Sequence, residues 1–169
     1  MIRLRPLTPL ALDELDAQPF RFTASAKLAA EPGAVFAELG DPSLWFPLMR
    51  RSVWKTGATS GVGAEREVDV MGFGRFRERM LAWDHGMRLA FTMIATTSPL
   101  IASMAEDYRL AHEDGHTRLE WTVVATPSRV GRAVVPALRA IIRVMFVRAA
   151  RNLQKRAGSY KRERATHVS

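Results

Sequence analysis

Three charged side chains, Arg66, Glu78 and Glu106, are expected to point into the interior of the protein. Each falls on the apolar face of a segment in which apolar and polar residues alternate, as they do in a β-strand with one buried face. A charge on such a face must be paired, protonated or bound to a ligand, because an isolated charge in an apolar interior is costly. These residues are therefore the first candidates for binding or proton-transfer chemistry.

Arg66 and Glu78 are predicted to face each other across a hairpin. The predicted strands 64–71 and 76–84 are joined by a short glycine-containing turn, so they must be antiparallel neighbours. The resulting ion pair could orient a polar group of a ligand, or tune Glu78 for proton transfer. It could also be a buried pair that satisfies itself and fixes the strand register.

Glu106 is alone among apolar residues on the inward face of the predicted strand 102–113. It could pair with Arg66 or meet a ligand hydroxyl, or it could reach solvent at the end of the sheet. Tyr108 on the same face and Trp121 on the next strand each combine an apolar body with one polar group, as residues of ligand pockets often do. Trp121 could instead be an ordinary core residue without a role in ligand binding.

An antiparallel sheet must position these side chains. An alternating segment begins at Phe20, and two short helices follow it, one over 33–39 and one starting at Asp41. Further strands are then predicted, separated by Gly, Pro and Asp turn signals too short for a parallel crossover. They cover residues 52–56, 64–71, 76–84, 88–96, 102–113 and 117–126.

After Pro127 the apolar period becomes that of an amphipathic helix, which we expect to end near Tyr160, with Pro136 in its first turn or at a kink. Residues 132–169 hold ten basic residues and one acidic residue, so the net charge of +8 belongs to this element. One apolar stripe is predicted, consisting of Val134, Leu138, Ile141, Ile142, Met145, Ala149 and Leu153.

The basic face of this helix is expected to be solvated. Weak contact with an anionic membrane is the alternative, and it would be purely electrostatic because one apolar stripe cannot serve both a cavity and a bilayer. Nucleic-acid binding is not expected, since aromatic residues are not interleaved with the basic ones.

Several motifs resemble the START-like (SRPBCC) superfamily, which includes polyketide cyclase/dehydrase-like proteins and the birch-pollen-allergen fold. They are Ala30–Phe36, Asp41–Trp45, Gly61–Arg66, Glu78 and Gly115–Trp121. The resemblance implies an α+β helix-grip fold, in which a curved antiparallel sheet of about seven strands wraps around a long C-terminal helix. Residues 20–160 would form this domain. Residues 1–19 would be an extension that lies over it or is partly disordered, and residues 161–169 a basic tail.

We therefore expect a cytoplasmic protein that binds or transports a hydrophobic lipid-, polyketide- or aromatic-like molecule between sheet and helix. The alternatives are an aromatase/cyclase or dehydratase-like enzyme using Glu78 or Glu106, and a membrane-associated lipid-transfer module. No cofactor or metal site is expected, because cysteine is absent and no histidine has metal-ligand spacing. The predicted ligand-binding residues are Arg66, Val68, Val70, Glu78, Met80, Phe91, Met93, Met104, Glu106, Tyr108, Trp121, Ile142 and Met145.

Overall fold

The structure is a computed structural model that describes residues 3–57 and 60–166, with side chains as far as residue 158. Its helices are α1 (Pro32–Leu39) and α2 (Arg129–Thr166), with short 3-10 helices over Leu12–Ala17 and Pro42–Leu44. Its strands are β1 (Arg5–Pro6), β2 (Phe20–Leu28), β3 (Met49–Trp54), β4 (Glu65–Val70), β5 (Gly74–Asp84), β6 (Arg88–Thr96), β7 (Ile101–Glu113) and β8 (His116–Pro127).

The strands form one antiparallel sheet in the order β2-β8-β7-β6-β5-β4-β3, with β1 paired to β6. The long helix α2 lies against it, so the predicted α+β helix-grip architecture is confirmed. Strand ends agree with the prediction to within one or two residues except in β3, which begins at Met49 rather than Ser52. Two consecutive arginines break the alternation there, and the β3–β4 register shifts between Met49 and Arg51.

The hairpin between β7 and β8 fixes which inward side chains become neighbours. Its two turn residues, Asp114 and Gly115, have φ angles of 48° and 74°. Two positive φ angles are those of a type I′ turn, whose twist matches the twist of the flanking strands. The resulting register places Tyr108 directly opposite Trp121 on the inward face.

Polar contacts fasten α2 to the rest of the domain. Arg156 forms an ion pair with Glu38 of α1, whose side chain is buried. Asn152 donates a hydrogen bond to the carbonyl oxygen of Trp45 (2.9 Å), and the side-chain oxygen of Gln154 accepts one from the amide of Ala29 (2.7 Å). All three contacts come from residues 152–156, little more than one turn of the helix, so they fix its rotation about its own axis at this point.

The helix differs from its prediction in two respects. It continues to Thr166, beyond the expected end at Tyr160. Pro136 lies inside the helix, which leaves the second of its two predicted positions, a kink, and excludes the first turn. Val134 and Ile141 were assigned to the buried stripe but are solvent-exposed. The face that does pack inward is displaced around the helix from the predicted stripe, because it includes Phe146 and Ala157 in place of Val134 and Ile141. It consists of Leu138, Ile142, Met145, Phe146, Ala149, Leu153 and Ala157.

Residues 3–19 lie on the outer face of the sheet, away from α2. Strand β1 pairs with β6, and the amide of Leu10 donates to the hydroxyl of Thr92 (2.9 Å). Leu10 and Leu15 then pack on Ala105 and Val124, two outward-facing residues of β7 and β8. This segment covers apolar surface that a one-sided sheet would expose, and the alternating pattern of the sequence gave no sign of it.

Gly131, at the start of α2, occupies a position with no room for a side chain. A Cβ atom at this position would lie 1.8 Å from the carbonyl oxygen of Leu100, which is backbone and cannot move aside cheaply. Gly131→Ala should therefore lower the free energy of unfolding by at least about 2 kcal/mol, in the range of overpacking substitutions. Thermal or urea denaturation measures the change.

Gly158, in the same helix, is the matched control. Among the described side chains, a Cβ atom there would meet only the flexible end of Gln154, at 3.8 Å. Gly158→Ala should stabilise the protein by up to about 1 kcal/mol, since alanine is the better helix former. Equal effects of the two substitutions would contradict the close approach at Gly131.

Candidate functional site

A largely apolar cavity of about 110 Å³ lies between the inward face of the sheet and α2. Its walls are formed by β4 to β8, the first residue of β2, the loop after α1 and the middle of α2. The lining residues that are only partly buried, and beside which the cavity approaches the solvent, are Phe46, Met49, Phe73, Leu100, Met104 and Leu138. The lining includes three charged groups, Arg66, Glu78 and Glu106.

Arg66 and Glu78 form the predicted ion pair in the interior. They are directly opposite each other in the β4–β5 register, and their side chains are 2% and 3% exposed. The Nε and Nη2 atoms of Arg66 lie 2.8 Å and 2.7 Å from Oε2 of Glu78, and Nη1 donates to the carbonyl oxygen of Gly40 at 2.9 Å. The guanidinium also lies over the rings of Trp54 and Phe91, at 5.4 Å and 5.5 Å from their centroids. The Arg66 guanidinium is thus held in place by a carboxylate, a backbone carbonyl and two aromatic rings.

Glu106 is held differently, by two neutral donors. The hydroxyl of Tyr108 donates to its Oε2 atom at 2.6 Å, and the indole Nε1 of Trp121 donates to the same atom at 2.8 Å. The other oxygen, Oε1, accepts no hydrogen bond from the residues that the structure describes, and it is not sealed from the cavity. Neither the expected pairing with Arg66 nor escape to solvent occurs.

The two buried carboxyls are not equivalent. Burial raises the pKa of Glu106 to about 7, the nearby charge of Glu78 adds to this shift, and the hydrogen bonds from Tyr108 and Trp121 oppose it. Burial also raises the pKa of Glu78, but there the adjacent Arg66 guanidinium opposes the shift directly. The pKa of Tyr108 is raised by burial and by the charge of Glu106, so this phenol remains a hydrogen-bond donor. Glu106 is therefore the carboxyl able to gain or lose a proton near neutral pH.

A row of four stacked rings connects Glu106 to α2. Phe91 stacks on Tyr108 at 6.1 Å between centroids, Tyr108 on Trp121 at 5.7 Å, and Trp121 on Phe146 of α2 at 5.7 Å. The interplanar angles are 30°, 13° and 24°, so the faces of the rings run roughly parallel. These rings give the cavity a flat aromatic wall with carboxylate oxygens beside it, an arrangement suited to a planar ligand.

Twelve of the thirteen sequence-predicted site residues line the cavity, and the structure therefore brings them together. Met80 is the exception. It is buried in the core, beyond the Arg66–Glu78 pair along β5, where its backbone bonds to that of Gly63 and Ala64. Strand parity gives the face of a residue but not how far along the strand the cavity extends.

Sequence reasoning missed the part of the lining that comes from loops. Trp45 and Phe46, from the loop after α1, stack edge-on against Tyr108 and Trp121 at 6.2 Å and 6.1 Å. Two large aromatic side chains between Pro42 and Pro47 were the available signal. Other missed lining residues are Phe20, Leu39, Met49, Phe73, Phe76, Ser98, Leu100, Ile101, Val123, Ala125 and Leu138.

Within residues 3–57 and 60–158, no three His, Asp or Glu side chains come close enough to hold a metal ion. In the same part of the chain, no helix is both long and apolar enough to cross a membrane.

With this geometry in hand, comparison with known proteins identifies the family. The family described as "Polyketide cyclase / dehydrase and lipid transport" matches residues 19–158. The chain belongs to this family. The match covers strands β2 to β8, the cavity and α2 as far as Gly158, and it leaves out the segment that covers the outer face. It also agrees with the START-like resemblance of the sequence motifs.

Known proteins support the family's fold without narrowing its chemistry. An uncharacterised protein of Mycobacterium tuberculosis is 26% identical over 153 residues, which is 89% of this chain and 92% of that one. The solved structure of XoxI from Bacillus cereus is similar with a TM-score of 0.64 at 16% identity, covering 80% and 93% of the two chains. The crystal structure of Ara h 8.0201 is similar with a TM-score of 0.61 at 15% identity, covering 80% and 98% of the two chains. At such identities the two structures show a shared fold.

Glu106 should make stability depend on pH with a defined sign. Its pKa is about 7 in the folded protein against an ordinary value of 4.5. Between these values the folded protein keeps a proton that the unfolded chain releases, so this group lowers the free energy of unfolding as the pH rises through that window. A shift of this size corresponds to about 3 kcal/mol.

Glu106→Gln removes this titration while keeping an oxygen that can accept from Tyr108 and Trp121. The unfolding free energy of the variant minus that of the wild type should increase by up to about 3 kcal/mol between pH 4.5 and pH 7, then level off. Urea denaturation across this pH range measures the difference. Tyr108→Phe removes a donor that lowers the pKa of Glu106, so the window should extend to higher pH. A difference that does not vary with pH would contradict the assignment.

Proposed function

We propose that the protein binds a small, mostly apolar molecule with a planar ring and one hydrogen-bond donor in the cavity between the sheet and α2. The observation that carries this proposal is the state of Glu106. One carboxylate oxygen is held by Tyr108 and Trp121, and the other lies at the cavity and accepts no hydrogen bond from a described residue. A buried acceptor of this kind gains most from a ligand that brings its own donor.

The size of the cavity favours a ligand of about one ring. Its volume of about 110 Å³ is of the order of the engineered cavity of roughly 150 Å³ that binds benzene, and well below the roughly 300 Å³ at which pockets for drug-sized molecules begin. A longer molecule would have to extend past Phe73 and Leu100 towards the solvent. A phenol fits both requirements, since its ring can stack on the aromatic wall and its hydroxyl can donate to Glu106.

A matched pair of probes tests this proposal. Above pH 7, where Glu106 is ionised, 4-ethylphenol should bind about ten-fold more tightly than ethylbenzene, because a hydrogen bond to a charged acceptor contributes about 1.5–3 kcal/mol. Isothermal titration calorimetry on the whole chain measures both affinities. In Glu106→Gln the preference for the phenol should fall about five-fold, since the acceptor is no longer charged.

Glu120→Gln is the control, because Glu120 lies on the outward side of β8 next to Trp121 and pairs with Arg118. It should leave the preference for the phenol unchanged. Equal affinity of the wild type for the two probes, or loss of the preference in both variants alike, would overturn the proposed role of Glu106.

A second candidate is an enzyme of the cyclase or dehydratase type, and the pKa of Glu106 favours it. A general acid–base catalyst works best with a pKa near the operating pH, and this carboxyl has one of about 7. Glu106 would take a proton from the carbon beside a carbonyl. In a dehydration the electron pair would then form the new double bond as hydroxide leaves the next carbon, and Glu106 would return its proton to give water.

Proton exchange separates the two candidates. Phenylacetone is a one-ring ketone whose protons beside the carbonyl exchange slowly in heavy water, as NMR can follow. An enzyme should accelerate this exchange in the wild type but not in Glu106→Gln, whereas a carrier should bind the ketone without accelerating exchange in either protein.

A further inference from the structure

Helix α2 carries a second apolar stripe, which is exposed to solvent and lies about a quarter turn around the helix from the line that packs on the domain. We call it the outer stripe, and all of its members are solvent-exposed, Ile141 at 44% and Val144 at 53%. They recur at alternating intervals of four and three residues, which aligns them along one side of a helix over about 20 Å. The outer stripe consists of Val130, Val134, Ala137, Ile141 and Val144.

No described residue covers the outer stripe. The face that packs on the sheet and the cavity is a separate line of the same helix, led by Ile142 and Met145. A continuous row of exposed aliphatic residues is unusual on a protein surface and marks a place where something docks. The sequence-based argument that one apolar stripe cannot serve both a cavity and a bilayer therefore fails, because the helix has two.

Positive charge continues the outer stripe along the helix. The same four-and-three spacing leads from Val144 to Arg148, Arg151 and Lys155, all of them exposed. None of these three forms an ion pair with another side chain that the structure describes. Residues 129–158 include eight basic residues and no acidic one. The outward side of α2 is thus apolar in its first half and cationic in the next turns.

We propose that the outer stripe docks this protein on an anionic lipid bilayer. The valine and isoleucine side chains enter the interface between headgroups and acyl chains, while Arg148, Arg151 and Lys155 lie at the lipid phosphates. The long stems of these basic residues can reach the headgroups while the helix backbone lies slightly deeper. Both parts of this face match an anionic bilayer, because the acyl chains accept the apolar side chains and the lipid phosphates attract the basic ones.

A second copy of the chain is a poorer occupant of the same surface. Two α2 helices packed stripe to stripe would bring together two surfaces that are both positively charged and have no acidic residue over 129–158. Like charges at an interface are repulsive, and nothing on this face compensates for them.

Docking through this face also brings the cavity near the membrane. Leu138, which lines the cavity and is only partly buried, is a surface neighbour of Val134 and Ile141 of the outer stripe, at spacings of four and three residues. An apolar ligand could then pass between bilayer and cavity with little exposure to water. The docking itself requires no cavity ligand, so it stands or falls separately from the proposed function.

Vesicle co-sedimentation tests the proposal on the whole chain. The wild type should bind vesicles of phosphatidylcholine with phosphatidylglycerol at low salt, and should bind pure phosphatidylcholine far more weakly. The double variant Ile141→Glu, Val144→Glu should lose binding to both. These side chains are exposed, so the variant should keep the circular dichroism spectrum and unfolding midpoint of the wild type.

Two matched controls separate position from net charge. Val62→Glu with Met87→Glu introduces the same two charges at apolar residues that are 71% and 64% exposed, in turns of the sheet, and should bind nearly as the wild type does.

Arg148→Ser with Arg151→Ser should weaken binding roughly 25-fold, at about five-fold per charge near an anionic surface. Lys27→Ser with Arg118→Ser removes two exposed charges of the sheet and should have a much smaller effect.

Three results would overturn the proposal. The wild type could fail to bind the anionic vesicles, or the Ile141→Glu, Val144→Glu variant could bind them as well as the control does. Analytical ultracentrifugation could also show a dimer that this variant abolishes, which would assign the outer stripe to a second copy of the chain.

Discussion

The cost of removing carboxyl groups from water is the constraint on which the interior of this protein depends. For Glu78 this cost is offset by a neighbouring cation, Arg66, which makes two close contacts with its carboxylate. Glu106 has no such partner and relies on Tyr108 and Trp121, whose neutral hydrogen bonds only partly offset its burial. The same two rings stack between Phe91 and Phe146, so the groups that satisfy Glu106 also seat α2 against the sheet. The polar chemistry and the helix packing are therefore one network.

The sequence predicted the strand faces well, because a residue's side of a strand follows from counting by two. Arg66 was placed opposite Glu78, and Glu106 was placed inside, from alternation and the position of one turn. The partners of Glu106 were not predicted. They follow from the β7–β8 register, which puts Trp121 beside Tyr108 and within reach of the carboxyl on the same face. Parity on each strand alone does not supply that register.

The path of the loop after α1 and the buried face of α2 could not be predicted from the sequence, for different reasons. The contribution of Trp45 and Phe46 depends on the path of an irregular loop, for which no periodicity exists. In α2 the apolar residues cover too wide an arc for spacing alone to show which of them are buried, so Val134 and Ile141 were misplaced. The segment before Phe20 has no alternation at all, although Leu10 and Leu15 cover the outer face of the sheet.

Membership of the polyketide cyclase / dehydrase and lipid transport family is compatible with a carrier and with an enzyme, and Glu106 is where the two accounts meet. Both require that its free oxygen face the ligand. A ¹³C NMR titration of the Glu106 carboxyl, with and without saturating 4-ethylphenol, tests this claim most directly. The account predicts a pKa of about 7 in the free protein and a lower pKa with the phenol bound, because a donated hydrogen bond stabilises the ionised form. Ethylbenzene should produce no such decrease. A pKa near 4.5 in the free protein, or one that 4-ethylphenol does not lower, would contradict it.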